Sequence, residues 1–188
     1  MAQAKILNPT ELRRVLDYIA TRKHAARNRC AVLLSHYAGM RVGEIASLRI
    51  SDVLNDTGTI KDEIRLKPEQ TKGKYPRTVY LNAKIQKELA QYIATLNNKD
   101  KNKPLLYSQK KEGFTANTLT QYFFYLYKRA GIEGASSHSG RRGFLTSLAN
   151  KGTAIHILKN LAGHRNINTT AAYLYSSPSQ MKAAVELV

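Results

Sequence analysis

The stretch TIKDEIRLKPEQTKGKYPRTVYL, residues 59–81, decides the fold. Residues 59–66, with Thr59, Ile60, Ile64 and Leu66, and residues 77–81, with Thr78, Val79, Tyr80 and Leu81, look like short strands, and between them lies the turn-rich Thr71-Lys72-Gly73-Lys74. This reads as one antiparallel β-hairpin with lysines near its tip. On both sides the spacing turns helical. Upstream, Asn8-Pro9-Thr10-Glu11 opens a helix: Asn8 caps, Pro9 suits the first turn and Glu11 closes a capping box. Leu12, Val15, Leu16 and Ile19 follow on one face. Residues 21–28 read as a basic polar link. A second helix is expected over 29–38, stopped by Gly39, and a third over 42–48.

Downstream, Asn82 caps a helix through Leu96 whose buried face is Ile85, Leu89, Tyr92, Ile93 and Leu96. A lysine-rich loop over 97–103 precedes an aromatic helix over 118–130 that ends at Gly131. The aromatic run Tyr122-Phe123-Phe124-Tyr125 with Tyr127 reads as core. Further helices are expected over 141–150, 154–162 and 169–175. A last one starts at Ser177-Pro178 and carries Met181, Ala184, Val185 and Leu187. The expected class is mainly α with one small antiparallel sheet (α+β), and 1–188 read as a single domain.

Thirty Lys and Arg against thirteen Asp and Glu leave a net charge of +17. A field of that sign draws polyanions, and nucleic acid is the expected partner. No apolar run approaches the roughly 20 residues of a membrane span. Cys30 is the only cysteine and lies in the apolar stretch 30–34, so it reads as core and suits a reducing cytoplasm. No Cys/His cluster or carboxylate set has metal-ligand spacing, and neither a metal nor another cofactor is expected.

Chemistry concentrates in a few places. Two arginines, Arg41 and Arg141, are suited to meeting the charge that builds on a phosphodiester in its transition state. A tyrosine hydroxyl can attack phosphorus and form a covalent intermediate. Its free pKa is about 10, so it needs neighbouring cations and a histidine to lose its proton. A hairpin lysine can return a proton to the leaving sugar oxygen.

Five motifs in fixed order resemble the tyrosine recombinase (phage integrase) family, from Leu7 to beyond Tyr175. Gly39-Met40-Arg41-Val42-Gly43-Glu44 resembles the first arginine box. Gln70-Thr71-Lys72-Gly73-Lys74 resembles the hairpin with the catalytic lysine. His138-Ser139-Gly140-Arg141 resembles the His-x-x-Arg box, and Leu161-Ala162-Gly163-His164 the Leu-Gly-His box. Tyr173, nine residues past His164, has the spacing of the nucleophile. The resemblance implies catalytic roles for Arg41, Lys72, His138, Arg141, His164 and Tyr173, with Glu44 orienting the site without reacting. Lys74, Arg142 and Tyr175 are the alternatives beside Lys72, Arg141 and Tyr173. Gly140 stands where the family usually has an apolar residue, and Arg142 where it often has a histidine.

The resemblance also implies the tyrosine recombinase catalytic-domain fold. The first box begins about forty residues in, which leaves no room for the N-terminal core-binding domain typical of integrases, so the chain reads as either a catalytic fragment of a longer integrase or a naturally short recombinase. The implied activity is site-specific recombination of double-stranded DNA through a 3′-phosphotyrosyl intermediate, without metal or nucleotide cofactor. Four protomers would act in the synapse, with the tail 176–188 exchanged between neighbours, in a cytoplasmic, nucleoid-associated setting. A type IB topoisomerase-like nicking-closing enzyme and a non-catalytic DNA-binding relative are the alternatives.

Overall fold

The Asn8 side chain accepts from the Glu11 amide at 2.8 Å, and Glu11 reaches back to the Asn8 amide at 3.1 Å. This capping box starts α1 (Pro9–Ala20), which buries Leu12, Val15 and Ile19. These contacts belong to a computed structural model that describes residues 4–97, 100–108, 112–174, 181–182 and 185–186. The chain divides into two compact units, Met1–Phe144 and Leu145–Val188.

In the first unit, α2 (Ala25–Ala38) starts four residues earlier than the sequence suggests. Its first turn is polar but faces inward. Arg27 and Asn28 are both buried, and Arg27 donates to Asn28 Oδ1 at 2.8 and 3.0 Å and to the Tyr107 carbonyl at 2.6 Å. Paired in this way, polar groups can be buried at little cost. Gly39 ends α2 at φ 61°, in the left-handed region that favours glycine. The turn leads into α3 (Val42–Ser47) and the short α4 (Ile50–Val53), an element the sequence reading did not contain.

The hairpin is β1 (Glu63–Leu66) paired antiparallel with β2 (Arg77–Tyr80), Glu63 opposite Tyr80 and Leu66 opposite Arg77. The first strand is shorter than expected. Ile60 bridges Leu54 instead, and the Lys61 amide donates to the Val53 carbonyl, so 59–62 follow the end of α4. Between the strands lie a 3₁₀ turn, Pro68–Gln70, and the lysine-bearing loop. Asn82 caps α5 (Ala83–Ala94), and α6 runs Ala116–Arg129, capped by Thr115 two residues ahead of the expected start. The apolar faces of α1, α2, α5 and α6 and the inner residues Ile64, Leu66 and Val79 form one core, with Cys30 inside it. Its burial is what drives the assembly. The aromatic run splits. Phe123 and Tyr127 are core and Tyr122 packs at its edge, whereas Phe124 and Tyr125 are exposed, because they fall on the outer face of α6.

Helix α7 (Ser139–Asn150) begins in the first unit, and the second contains α8 (Ile155–Ala162) and α9 (Ile167–Ala171). The last is shorter than the expected helix over 169–175, and Tyr173 lies in the turn after it. The expected helix at Ser177-Pro178, with Ala184 and Leu187, falls outside the described residues, as do Tyr175, Lys99, Lys110 and Lys111. Among the described residues, no helix is long and apolar enough to cross a membrane.

Candidate active site

Arg41 occupies the N-cap of α3, with the extended backbone that position requires. Its amide donates to Glu44 Oε2 at 2.8 Å and its Nη1 to Glu44 Oε1 at 3.0 Å. Glu44 is buried, 1% exposed, while a quarter of the Arg41 side chain faces solvent. A second arginine, Arg77 at the start of β2, grips the same carboxylate as a fork: Nε to Oε1 at 3.0 Å and Nη2 to Oε2 at 2.6 Å. Burial alone would raise the Glu44 pKa. The hydrogen bonds and charge of Arg77, with the amide and charge of Arg41, hold it below the usual value.

Arg141 is buried near the start of α7 and donates from Nη1 to the Gly39 carbonyl at 2.6 Å. The residue that turns the chain toward Arg41 therefore also holds Arg141. Close packing supports this: a Cβ on Gly140 would stand 2.7 Å from Ser35 Oγ and 3.1 Å from the His36 amide nitrogen. The glycine found where the family usually has an apolar residue thus lets the start of α7 approach α2. Arg142 points elsewhere and donates to the Ala4 carbonyl at 2.8 Å.

His138, one turn before Arg142 and exposed, has its pKa lowered below the usual histidine range. Partial burial contributes most, followed by the positive charges of Arg141, Arg41 and Lys72. The four residues come from three segments of the first unit, and the charges of the other three are felt at the His138 imidazole. Lys72 and Lys74 are both exposed, and Lys74 adopts φ 53°. Of the two lysines, Lys72 is the one whose charge acts on His138. Among the described residues, no group of three or more His, Cys, Asp or Glu is placed to hold a metal ion.

In the second unit, Gly163 ends α8 at φ 59° and turns the chain into His164. His164 Nδ1 lies 3.0 Å from the hydroxyl of the buried Thr170. Its ring stacks on Tyr173 with centroids 5.9 Å apart and planes at 21°. A hydrogen bond on one side and a stacked ring on the other fix the imidazole beside the phenol.

Sequence reasoning placed Glu44 beside Arg41 but missed Arg77. That residue carried no signal except its position in a strand, because its partner is 33 residues away.

The phage integrase family model matches residues 5–180. The chain belongs to the phage integrase family. Its relatives in that family include the tyrosine recombinase XerA of Thermococcus kodakarensis, 31% identical over 187 residues, which cover 97% of this chain and 62% of the relative. A tyrosine recombinase of Thermosipho africanus is 30% identical over 161 residues, covering 85% of this chain and 53% of the relative. The chain thus spans between about half and two thirds of the length of these curated relatives. The crystal structure of a XerA recombinase matches with a TM-score of 0.76 at 24% identity, covering 100% of this chain and 66% of that one. The Tn1549 transposon integrase, solved in complex with circular intermediate DNA, matches with a TM-score of 0.74 at 20% identity, covering 99% and 67%. The catalytic domain of bacteriophage HP1 integrase gives 0.68 at 22%, covering 98% of this chain and 95% of that one. The helical layout with a two-stranded sheet is therefore the catalytic-domain fold of this family.

Proposed function

We propose that the protein is a site-specific recombinase of the tyrosine type, which cuts and rejoins double-stranded DNA. The observation that carries this reading is the cationic cluster of Arg41, Arg141 and Lys72 around His138. Membership of the family and the DNA complex of the Tn1549 integrase support it.

Arg41 and Arg141 bind the non-bridging oxygens of one phosphate and stabilise the charge of the five-coordinate transition state. The Tyr173 oxygen attacks phosphorus. A bond forms between that oxygen and the 3′-phosphate, and the bond to the 5′ oxygen breaks. A neutral imidazole, His138 or His164, accepts the phenolic proton, and the neighbouring cations stabilise the phenolate. Lys72 gives a proton to the departing 5′ oxygen. The phosphodiester energy stays in the phosphotyrosyl bond, so a 5′-hydroxyl from a second strand reseals the backbone by the reverse steps. Glu44 orients Arg41 throughout. In this reading the chain supplies the catalytic domain, acts as a homo-oligomer with four protomers in the synapse, and exchanges its 176–188 tail between neighbours. It works in the cytoplasm on the nucleoid.

The test uses a DNA substrate nicked beside the cleavage site, so that the short product diffuses away and the covalent complex accumulates. Wild-type protein is expected to form a denaturant-resistant adduct, and Tyr173→Phe to form none. Equal trapping by Tyr173→Phe removes Tyr173 from the role. Relaxation of supercoiled plasmid without any site preference would instead indicate nicking-closing activity.

A further inference from the structure

We infer that Arg77 is a positioning residue: its fork on Glu44 balances the carboxylate, so that the Arg41 charge is directed to the phosphate, and it ties the lysine hairpin to Arg41. This inference rests on the recombinase reading above. Glu44 has one negative charge and two oxygens, and two guanidiniums share them. The sharing is unequal. Arg77 is 8% exposed at its side chain and meets both oxygens with a side-chain fork, while the Arg41 side chain, a quarter exposed, meets Oε1 and its main-chain amide meets Oε2. Arg77 and Glu44 form the closed, buried, neutral pair. Arg41 is oriented by the same carboxylate but is not neutralised by it. Without Arg77, the Glu44 charge would fall on Arg41 alone, and the net positive charge of the Arg41–Glu44–Arg77 group would drop by one.

The second consequence is geometric. Arg77 is the first residue of β2, where the chain returns from the loop that carries Lys72. The outgoing side of that loop is held as well: Gln70 Nε2 donates to the Ser47 carbonyl at 3.3 Å and to Asp52 Oδ2 at 3.0 Å. Thr71 closes the base, its hydroxyl donating to the Tyr75 carbonyl at 2.8 Å and accepting from the Tyr75 amide at 3.1 Å. Both feet of the loop are thus fastened to the α3–α4 segment, and the returning foot is fastened through the carboxylate that orients Arg41. An exposed lysine on a short loop gains a defined reach toward the first arginine by this route.

The experiment is a double-mutant cycle over Arg77→Gln and Glu44→Gln, read by the rate of covalent trapping on the nicked substrate and by the Kd for the same DNA uncut. Arg77→Gln should trap about 100-fold more slowly, the scale of losing one preorganised group at a developing charge, with Kd changed by less than about threefold. Adding Glu44→Gln to Arg77→Gln should recover about tenfold of the rate, because the unbalanced carboxylate charge beside Arg41 is removed. A residue that merely staples the fold predicts the opposite, a double variant no faster than Arg77→Gln, and that result overturns the inference. If Arg77→Gln shows no cooperative thermal transition, Arg77→Lys decides: it keeps the charge but not the fork. It should trap roughly tenfold more slowly with Kd unchanged, and trapping at the wild-type rate overturns the inference. Failure of the wild-type protein to trap at all would instead strike the recombinase reading on which the inference rests.

Discussion

Replacing Gly39 by alanine adds one methyl group where three functions meet. Gly39 ends α2 at φ 61°, its carbonyl accepts from Arg141, and the Phe144 ring lies directly against its α-carbon. Two costs follow. An L-residue held in the left-handed region is strained by about 1–2 kcal/mol. The new Cβ would overlap the Phe144 ring, whose Cε1 is only 2.8 Å from it, and overpacking of this kind costs about 1–3 kcal/mol more. Gly58 separates the two terms. It has φ 80° and open space around its α-carbon, so Gly58→Ala carries the strain alone. In urea unfolding, Gly39→Ala should therefore be less stable than Gly58→Ala by about 1–3 kcal/mol. In a thermal scan that is a further drop in Tm of about 2–12 °C for a chain of this size. Any relief of the overlap moves the Gly39 carbonyl or the Phe144 ring three residues past Arg141. Gly39→Ala should accordingly also slow covalent trapping, which Gly58→Ala should not. Equal stability of the two variants would refute the packing argument.

Three further outcomes are expected. Affinity for DNA should fall steeply with salt, with log K linear in log[salt], because phosphate contacts release counterions; fluorescence anisotropy at several salt concentrations checks this, and a flat response excludes a phosphate-gripping surface. His138 should titrate below the usual histidine value in free protein, which NMR of its ring protons reads directly. Because its folded pKa is depressed, its stabilising contribution is present above the unfolded pKa of about 6.5 and is lost as the pH falls through the folded value. Binding DNA places negative charge among Arg41, Arg141 and Lys72 and should move that titration upward. Arg141→Lys should bind DNA nearly normally yet lose about 100-fold in trapping rate, since an ammonium cannot both hold the Gly39 carbonyl and present a fork to phosphate.

What the sequence disclosed depended on whether the signal was local. The capping box of α1, the Asn82 cap of α5 and the stops at Gly39, Gly131 and Gly163 are written within a few residues, and each stands close to where it was expected. The start of α2 was hidden because polarity was read as exposure. Arg27 and Asn28 are buried and satisfy each other, while His24 offers no side-chain cap and adopts a left-handed backbone. The first strand was overextended because Thr59 and Ile60 are residues that favour strands, yet Ile60 pairs with Leu54 and not with the opposite strand. With four residues, α4 is too short to show a period.

The candidate site divides the same way. Arg41, Lys72, His138, Arg141, His164 and Tyr173 were readable because their motifs keep a fixed order and local spacing. The sharing of Glu44 by Arg41 and Arg77, and the carbonyl that ties Arg141 to Gly39, join segments 33 and 102 residues apart and leave no local trace. Those contacts set how much positive charge faces the phosphate and where.

The most direct measurement is to digest the covalent protein–DNA adduct with trypsin and locate the modified residue by tandem mass spectrometry. Tyr173 and Tyr175 share the peptide between Arg165 and Lys182, so fragment masses separate them. The account predicts a nucleotide attached through its 3′-phosphate to Tyr173. Attachment at Tyr175, at a residue outside this peptide, or through a 5′-phosphate would contradict it.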